Sequence, residues 1–145
     1  MAKIFIIEDD PLMIRMYEKT FKLSGYEVEM AFDGEEALSK LKTAGNKPTL
    51  ILLDVMMPKM NGFDVLKALK QDAGLKNVPV VMLTNLAGES DAEKGIGMGA
   101  VTYLVKSQYD PKQVVDKVKE IISGYEKKGS VPEVKTTVKK LDLSK

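Results

Sequence analysis

Short apolar segments that alternate with amphipathic helical patterns constrain the fold of this chain more than any other feature. Four of the segments are almost wholly apolar, as strands buried on both faces are: residues 4–7, 50–53, 80–83 and 101–105. A fifth segment, residues 26–30, alternates apolar and polar positions as a half-exposed edge strand does. A helical pattern follows each strand. Five strands alternating with five helices predict an α/β fold with one parallel sheet, covered on both faces and connected by right-handed crossovers.

The helical segments carry their own start and stop signals. The first helix is predicted over residues 11–24, and its inner face is expected to consist of Met13, Met16, Tyr17 and Phe21. Residues 88–99 are polar and rich in glycine, which predicts a weak fourth helix. The last helix is predicted to start at Pro111 and to end at Gly124.

The length of 145 residues suits one domain, which we expect over residues 1–124. Residues 125–145 contain six lysines and three acidic residues, and we expect them to form a flexible basic tail or linker. No apolar run is long enough for a membrane span, and the chain starts without a signal-peptide pattern. We therefore expect a cytoplasmic protein without membrane insertion.

Two residue types are absent, and their absence excludes several kinds of chemistry. The chain has no cysteine, which excludes disulfides and thiolate metal sites, and no histidine, which excludes Ser-His-Asp triads and imidazole general bases. Any bound metal must therefore be held by oxygen ligands. The net charge of +1 gives no argument for direct nucleic-acid binding.

Polar residues follow four of the five predicted strands, at the edge where an open parallel sheet binds ligands. They are Glu8, Asp9 and Asp10 after the first strand, Asp54 after the third, Thr84 after the fourth and Lys106 after the fifth. Asp10 directly precedes a proline, which predicts that it caps the first helix. The other acidic side chains repel one another unless a cation lies among them.

Mg²⁺ is the cation that best suits this set, because it prefers oxygen ligands and needs only one or two carboxylates. Mn²⁺ is also possible. Acidic residues, a hydroxyl and a lysine without any histidine favour phosphoryl transfer to a carboxylate. We predict that Asp54 is the nucleophile, that Lys106 neutralises the phosphoryl oxygens and that Thr84 donates a hydrogen bond to one of them.

Four sequence motifs in this order, EDDP, LLDVMMPKMNG, MLTN and GAVTYLVK, resemble the receiver domain of two-component response regulators. The resemblance covers about residues 3–124. It implies a doubly wound, flavodoxin-like sheet with strand order 2-1-3-4-5.

The resemblance also implies a role for each site residue. Asp54 is the phosphoacceptor, Asp9 binds Mg²⁺ directly and Glu8 binds it through water. The backbone carbonyl of Met56 supplies another ligand. Thr84 and Lys106 bind the phosphoryl group, and Thr84 together with Tyr103 forms the switch.

The partners implied by the resemblance are a sensor histidine kinase or a histidine phosphotransfer protein, and a downstream protein target. The surface of the fourth helix, fifth strand and fifth helix would change its affinity for that target. The chain would act as a monomer or as a phosphorylation-linked dimer, and it would be no enzyme beyond its own phosphorylation and dephosphorylation. The alternative is an interaction module of the same fold that works without phosphorylation.

Two residues depart from the usual pattern of the family. Ser107 stands where proline usually follows the lysine, so we predict a trans Lys106–Ser107 bond and an altered loop, which puts the reach of Lys106 in doubt. Asn85 is larger than the residue often found after the threonine. We expect it to narrow access to the phosphoryl group and to alter the lifetime of the phosphorylated form.

Overall fold

A computed structural model describes residues 2–43, 47–85 and 89–128 of the chain. In these ranges the strands alternate with α-helices, as the apolar segments predict. The elements are β1 (Lys3–Ile7), α1 (Pro11–Leu23), β2 (Glu27–Ala31), α2 (Gly34–Thr43), β3 (Leu50–Asp54), α3 (Gly62–Gln71), β4 (Val80–Thr84), α4 (Glu89–Gly97), β5 (Thr102–Val105), a 3-10 helix (Lys106–Gln108) and α5 (Pro111–Lys128).

The five strands form one parallel sheet in the order β2-β1-β3-β4-β5, which confirms the predicted topology. The strand β1 lies between β2 and β3, so the chain first builds the sheet to one side and then to the other. Ile7 pairs with Leu53, which brings the carboxyl ends of β1 and β3 side by side. A crevice at such a reversal of strand order is where ligands bind in this architecture.

The alternation of side chains along the strands divides the core between the two faces of the sheet. One face carries Phe5 and Ile51 and packs against α2, α3 and α4. The other carries Ile4 and Leu52 and packs against α1 and α5. Both faces are covered, so the three central strands β1, β3 and β4 are almost continuously apolar.

The inner face of α1 differs from the predicted one at two positions, because Ile14 lies inside and Met16 lies outside. Ile14, Tyr17 and Phe21 are the buried residues of this helix, whereas Met16 is 45% exposed. Residues three and four positions from Tyr17 share its side of the helix, but Met16 is its direct neighbour and points about 100° away. The prediction that Met16 faces the core was wrong, because it relied on the apolar side chain of Met16 and not on its angular position around the helix.

The end of α5 also differs from the prediction. The helix continues to Lys128, so the predicted stop at Gly124 was wrong. A glycine ends a helix when it adopts a positive φ, as Gly25 does after α1 with a φ of 93°. Gly124 is absent from the positive-φ residues of the described chain. The predicted tail lies outside the described residues from residue 129 onward.

None of the helices in the described ranges combines the length and the apolar character needed to cross a membrane.

Candidate functional site

The three consecutive acidic residues after β1 have three different environments. Glu8 is 3% exposed, and its backbone N–H donates to the carbonyl of Ala31 at 3.1 Å, which extends the pairing with β2. Asp9 is half-buried and Asp10 is exposed. Asp10 is the N-cap of α1, as predicted. Its Oδ1 accepts hydrogen bonds from the backbone N–H groups of Leu12 and Met13, at 2.9 and 3.3 Å.

Asp54 is the last residue of β3, and it faces the acidic residues of β1 across the crevice. Its side chain is 4% exposed, and one carboxylate oxygen, Oδ1, has no hydrogen-bond partner within the described residues. Carboxylate oxygens of Glu8, Asp9 and Asp54 lie within 4.8 Å of one another. A buried carboxylate oxygen that lacks a hydrogen bond indicates space for a ligand, because such groups are otherwise costly to bury.

Lys106 supplies the positive charge next to this cluster. Its Nζ lies 2.6 Å from Oε1 of Glu8 and 3.6 Å from Oδ1 of Asp54, and its side chain is 10% exposed. The other oxygen of Glu8, Oε2, accepts a hydrogen bond from the backbone N–H of Asp10 at 3.0 Å. The lysine therefore reaches the carboxylates of both strands, although it begins a short 3-10 helix in place of a Lys-Pro turn.

The peptide bond between Lys106 and Ser107 is trans, because the described residues contain no cis peptide bond. This confirms the prediction made from Ser107. The altered loop is the 3-10 helix Lys106–Gln108, and it leaves the lysine directed into the crevice.

Burial and the neighbouring acidic residues raise the pKa of Asp54 to about 7. Burial is the largest cause, and the nearby charge of Glu8 adds to it. The charge of Lys106 and a hydrogen bond from the backbone N–H of Met56 oppose the increase. One lysine therefore compensates the cluster only in part, and a divalent cation would supply the remaining positive charge.

Thr84 and Tyr103 lie together next to this crevice. Thr84 ends β4 and is completely buried, and Tyr103 on β5 is 1% exposed. A hydrogen bond joins the side chain of Thr84 to Tyr103. Burial raises the pKa of the Tyr103 hydroxyl, and the negative charges of Asp91 and Asp54 act in the same direction. The two predicted switch residues are therefore already in contact, with the tyrosine ring inside the fold.

Two neighbours of the site were not predicted as such. Burial raises the pKa of the Tyr17 hydroxyl on α1, and the nearby negative charges of Glu8 and Asp54 add to the increase. Gly62 packs against the backbone at the end of β3, where a Cβ would lie 2.7 Å from the Cα of Val55. The motif MNG after the strand was a signal for Gly62, because a glycine there permits close approach of two backbone segments. For Tyr17, only its position on the inner face of α1 could have indicated that it lies near the site.

The residues present suit a hard divalent cation. All candidate ligands are oxygen atoms, three carboxylates converge, and one buried oxygen of Asp54 accepts no hydrogen bond within the described residues. Glu8, Asp9 and Asp54 are the side chains that could hold Mg²⁺ or Mn²⁺. The predicted ligand role of the Met56 carbonyl stays a prediction.

Known proteins share both the sequence and the fold of this chain. Residues 4–119 match the family described as the response regulator receiver domain. The chain is 39% identical over 120 residues to the alkaline phosphatase synthesis transcriptional regulatory protein PhoP of Bacillus subtilis, a match that covers 83% of this chain and 48% of PhoP. The chain spans about half the length of the curated relatives PhoP and ycf27 that it matches, 48% and 51%.

Solved structures match over nearly their whole length. The chemotaxis protein CheY4 of Vibrio cholerae is 34% identical with a TM-score of 0.76, covering 83% of this chain and 98% of that chain. The phosphorylated cyanobacterial phytochrome response regulator RcpA is 32% identical with a TM-score of 0.75, covering 90% and 98%. The chain thus belongs to the receiver domain family of two-component response regulators.

Proposed function

We propose that this receiver accepts a phosphoryl group on Asp54 from a phosphohistidine donor, with Mg²⁺ bound by Glu8, Asp9, Asp54 and the carbonyl of Met56. The observation that carries the proposal is the convergence of carboxylate oxygens of Glu8, Asp9 and Asp54 within 4.8 Å, together with a buried Asp54 oxygen that accepts no hydrogen bond within the described residues. The phosphorylated state of the similar protein RcpA supports it.

In the proposed reaction an oxygen of the Asp54 carboxylate attacks the phosphorus atom. An O–P bond forms while the N–P bond of the phosphohistidine breaks, and the leaving imidazole takes the electron pair of that bond and a proton from solvent. Bound Mg²⁺ would offset the negative charge of the carboxylates and of the phosphoryl oxygens. These 145 residues contain no histidine, so the phosphohistidine of the donor must lie outside them.

Lys106 and Thr84 stabilise the added group in this proposal. The ammonium group of Lys106 lies 3.6 Å from Oδ1 of Asp54 and can pair with a phosphoryl oxygen as a point charge. Thr84 offers one hydroxyl proton, which it can donate to a phosphoryl oxygen. Thr84 also contacts Tyr103, so the group on Asp54 can influence the surface formed by α4, β5 and α5.

The partners follow from the same proposal. A sensor histidine kinase or a histidine phosphotransfer protein supplies the phosphoryl group in the cytoplasm. A downstream protein target reads the surface of α4, β5 and α5, either with a monomer or with a phosphorylation-linked dimer.

Labelling with acetyl phosphate or phosphoramidate in the presence of Mg²⁺ tests the proposal. Intact-mass and peptide mass spectrometry should locate one phosphoryl group on Asp54, and Asp54→Asn should lose it. Asp10→Asn is the matched control, because asparagine also caps helices and residue 10 lies outside the carboxylate cluster. Absence of labelling in the unmodified chain would contradict the proposal and favour an interaction module that works without phosphorylation.

The lifetime of the phosphorylated form provides a further prediction. Asn85 is exposed and directly follows Thr84 at the end of β4. If its side chain narrows the path of water to the phosphoryl group, Asn85→Ala should release phosphate severalfold faster. Equal decay rates of the two proteins, measured after removal of the donor, would exclude this role for Asn85.

A further inference from the structure

Gly95 lies in α4 on the side of the helix that packs against β4 and β5. The residue is buried, and a Cβ built on it would lie 2.9 Å from Sδ of Met82 on β4 and 3.3 Å from Cδ2 of Tyr103 on β5. Real Cβ atoms almost never come as close as 2.9 Å to another side-chain atom. The missing side chain of Gly95 therefore leaves space for the sulfur of Met82 and, beside it, for the edge of the Tyr103 ring.

The helix α4 has contacts that oppose a movement away from the sheet. Ala92, one turn before Gly95, is completely buried in the core. The ammonium group of Lys94 lies 4.4 Å from the centre of the Phe63 ring, a cation–π contact that connects α4 to the start of α3. A larger residue at position 95 would thus meet resistance from the helix, so that Met82 or Tyr103 would have to move.

We propose that Gly95 is a positioning residue for Tyr103, because the absence of a side chain at position 95 keeps the tyrosine ring inside the fold and its hydroxyl next to Thr84. The inference rests on the proposed function for the switch role of Tyr103, but the position of the ring can be measured without phosphorylation.

The hydrogen bond between Tyr103 and Thr84 gives Gly95 its functional meaning. A threonine hydroxyl has one proton to donate and two sites that accept hydrogen bonds. The hydrogen bond to Tyr103 therefore constrains the orientation of the Thr84 hydroxyl, and with it the direction in which Thr84 can donate to a phosphoryl oxygen. An outward tyrosine removes that constraint on the orientation of Thr84.

The same helix contains a matched control for Gly95. A Cβ on Gly97, which is exposed, would have no atom within 4 Å. Alanine forms helices better than glycine, so neither Gly95→Ala nor Gly97→Ala, at the last residue of α4, should weaken the helix through propensity. The two variants differ in the contacts of the added methyl group.

The experiment uses the full chain, labelled with 3-fluorotyrosine and kept unphosphorylated. The ¹⁹F resonance of Tyr103 is assigned with Tyr103→Phe, and its exposure is measured by the line broadening that a soluble paramagnetic agent causes. Gly95→Ala should increase this broadening severalfold, whereas Gly97→Ala should leave it unchanged. Affinity for Mg²⁺ should be the same in both variants, because the carboxylate cluster lies on β1 and β3.

A second-site variant tests whether the space at position 95 is the cause. Met82→Val removes the sulfur atom that the new methyl group would contact first. The combination Met82→Val with Gly95→Ala should therefore restore a buried Tyr103, and it replaces the single variant as the test if Gly95→Ala alone does not fold. A Tyr103 resonance that stays protected in a folded Gly95→Ala protein overturns the proposal. So does equal exposure in both alanine variants, or a double variant that leaves the ring exposed or does not fold.

Discussion

Asp54 illustrates how one buried carboxylate can determine the behaviour of a site. It lies at the end of an apolar strand, 4% exposed, with two other carboxylates and a lysine beside it. The sequence predicted its position, because Asp54 directly follows the apolar strand segment 50–53. The pairing of Lys106 with Glu8 was not predicted, because it joins side chains that are 98 residues apart in the chain.

The raised pKa of Asp54 predicts a pH-dependent stability in the absence of Mg²⁺. The pKa increases from 3.8 to about 7 on folding, so the folded state binds more protons than the unfolded state between these values. The stability that this extra proton on folded Asp54 contributes is fully present below pH 3.8, and it is lost as the pH rises through about 7. Asp54→Asn removes this charge. It should therefore raise the free energy of unfolding at pH 8, by on the order of 1–3 kcal/mol, and progressively less towards pH 4.

Urea unfolding in EDTA across this pH range measures the effect, with Asp10→Asn as an exposed control. If the stability difference between Asp54→Asn and the unmodified chain does not vary with pH, the raised pKa of Asp54 is contradicted.

Lys106 should contribute more to stability than an exposed lysine does. Lys106→Met leaves the buried Glu8 and Asp54 without their shared cation, and removal of one partner from a buried pair costs about 3 kcal/mol. Chemical unfolding at pH 8 without Mg²⁺ should show a loss of about that size, and saturating Mg²⁺ should reduce it. Lys119→Met, on the exposed side of α5, serves as control. Equal losses of unfolding free energy in the two variants would show that the ion pairs of Lys106 stabilise the fold no more than an exposed lysine does.

At the level of single elements, the start of α1 combines two functions in consecutive residues. Glu8 and Asp9 face the crevice, while Asp10 caps the helix. Asp10→Ala should lower the free energy of unfolding by about 1 kcal/mol because two backbone N–H groups lose their acceptor.

Asp10→Asn should lose much less stability, and the affinity for Mg²⁺ should be nearly unchanged in both Asp10 variants. Calorimetric titration with Mg²⁺ together with thermal unfolding distinguishes the two roles. A large loss of Mg²⁺ affinity in Asp10→Asn would place Asp10 among the ligands instead.

Local patterns predicted most elements correctly and failed where helical phase or backbone conformation decided the result. Met16 is apolar yet exposed, since Ile14, Tyr17 and Phe21 already define the inner face of α1. Gly124 lies inside α5, because a glycine without a positive φ does not end a helix. Gly95 counted as a weakness of α4 in the sequence, whereas it allows the helix to approach Tyr103.

At the level of the whole molecule, the carboxylate cluster should couple Mg²⁺ binding to folding. The unfolded chain does not hold Glu8, Asp9 and Asp54 together, so Mg²⁺ would bind mainly the folded state. Thermal unfolding should shift upward with Mg²⁺ concentration, corresponding to about 2.7 kcal/mol at 100 times the dissociation constant. Asp9→Asn should reduce the shift, and Asp10→Asn should retain it. A melting temperature that does not respond to millimolar Mg²⁺ or Mn²⁺ would contradict the metal site.

The sequence by itself determined the number and order of strands and helices, and it identified the residues at the strand ends. These features depend on local periodicity and on the order of motifs along the chain. Only the tertiary structure decided which of these side chains touch: Lys106 with Glu8, Tyr103 with Thr84, and the ring of Tyr103 beside Gly95. Such contacts depend on how closely each helix lies on the sheet and on how each loop directs its side chains. Both result from packing over the whole fold, and no short segment of the sequence contains that information.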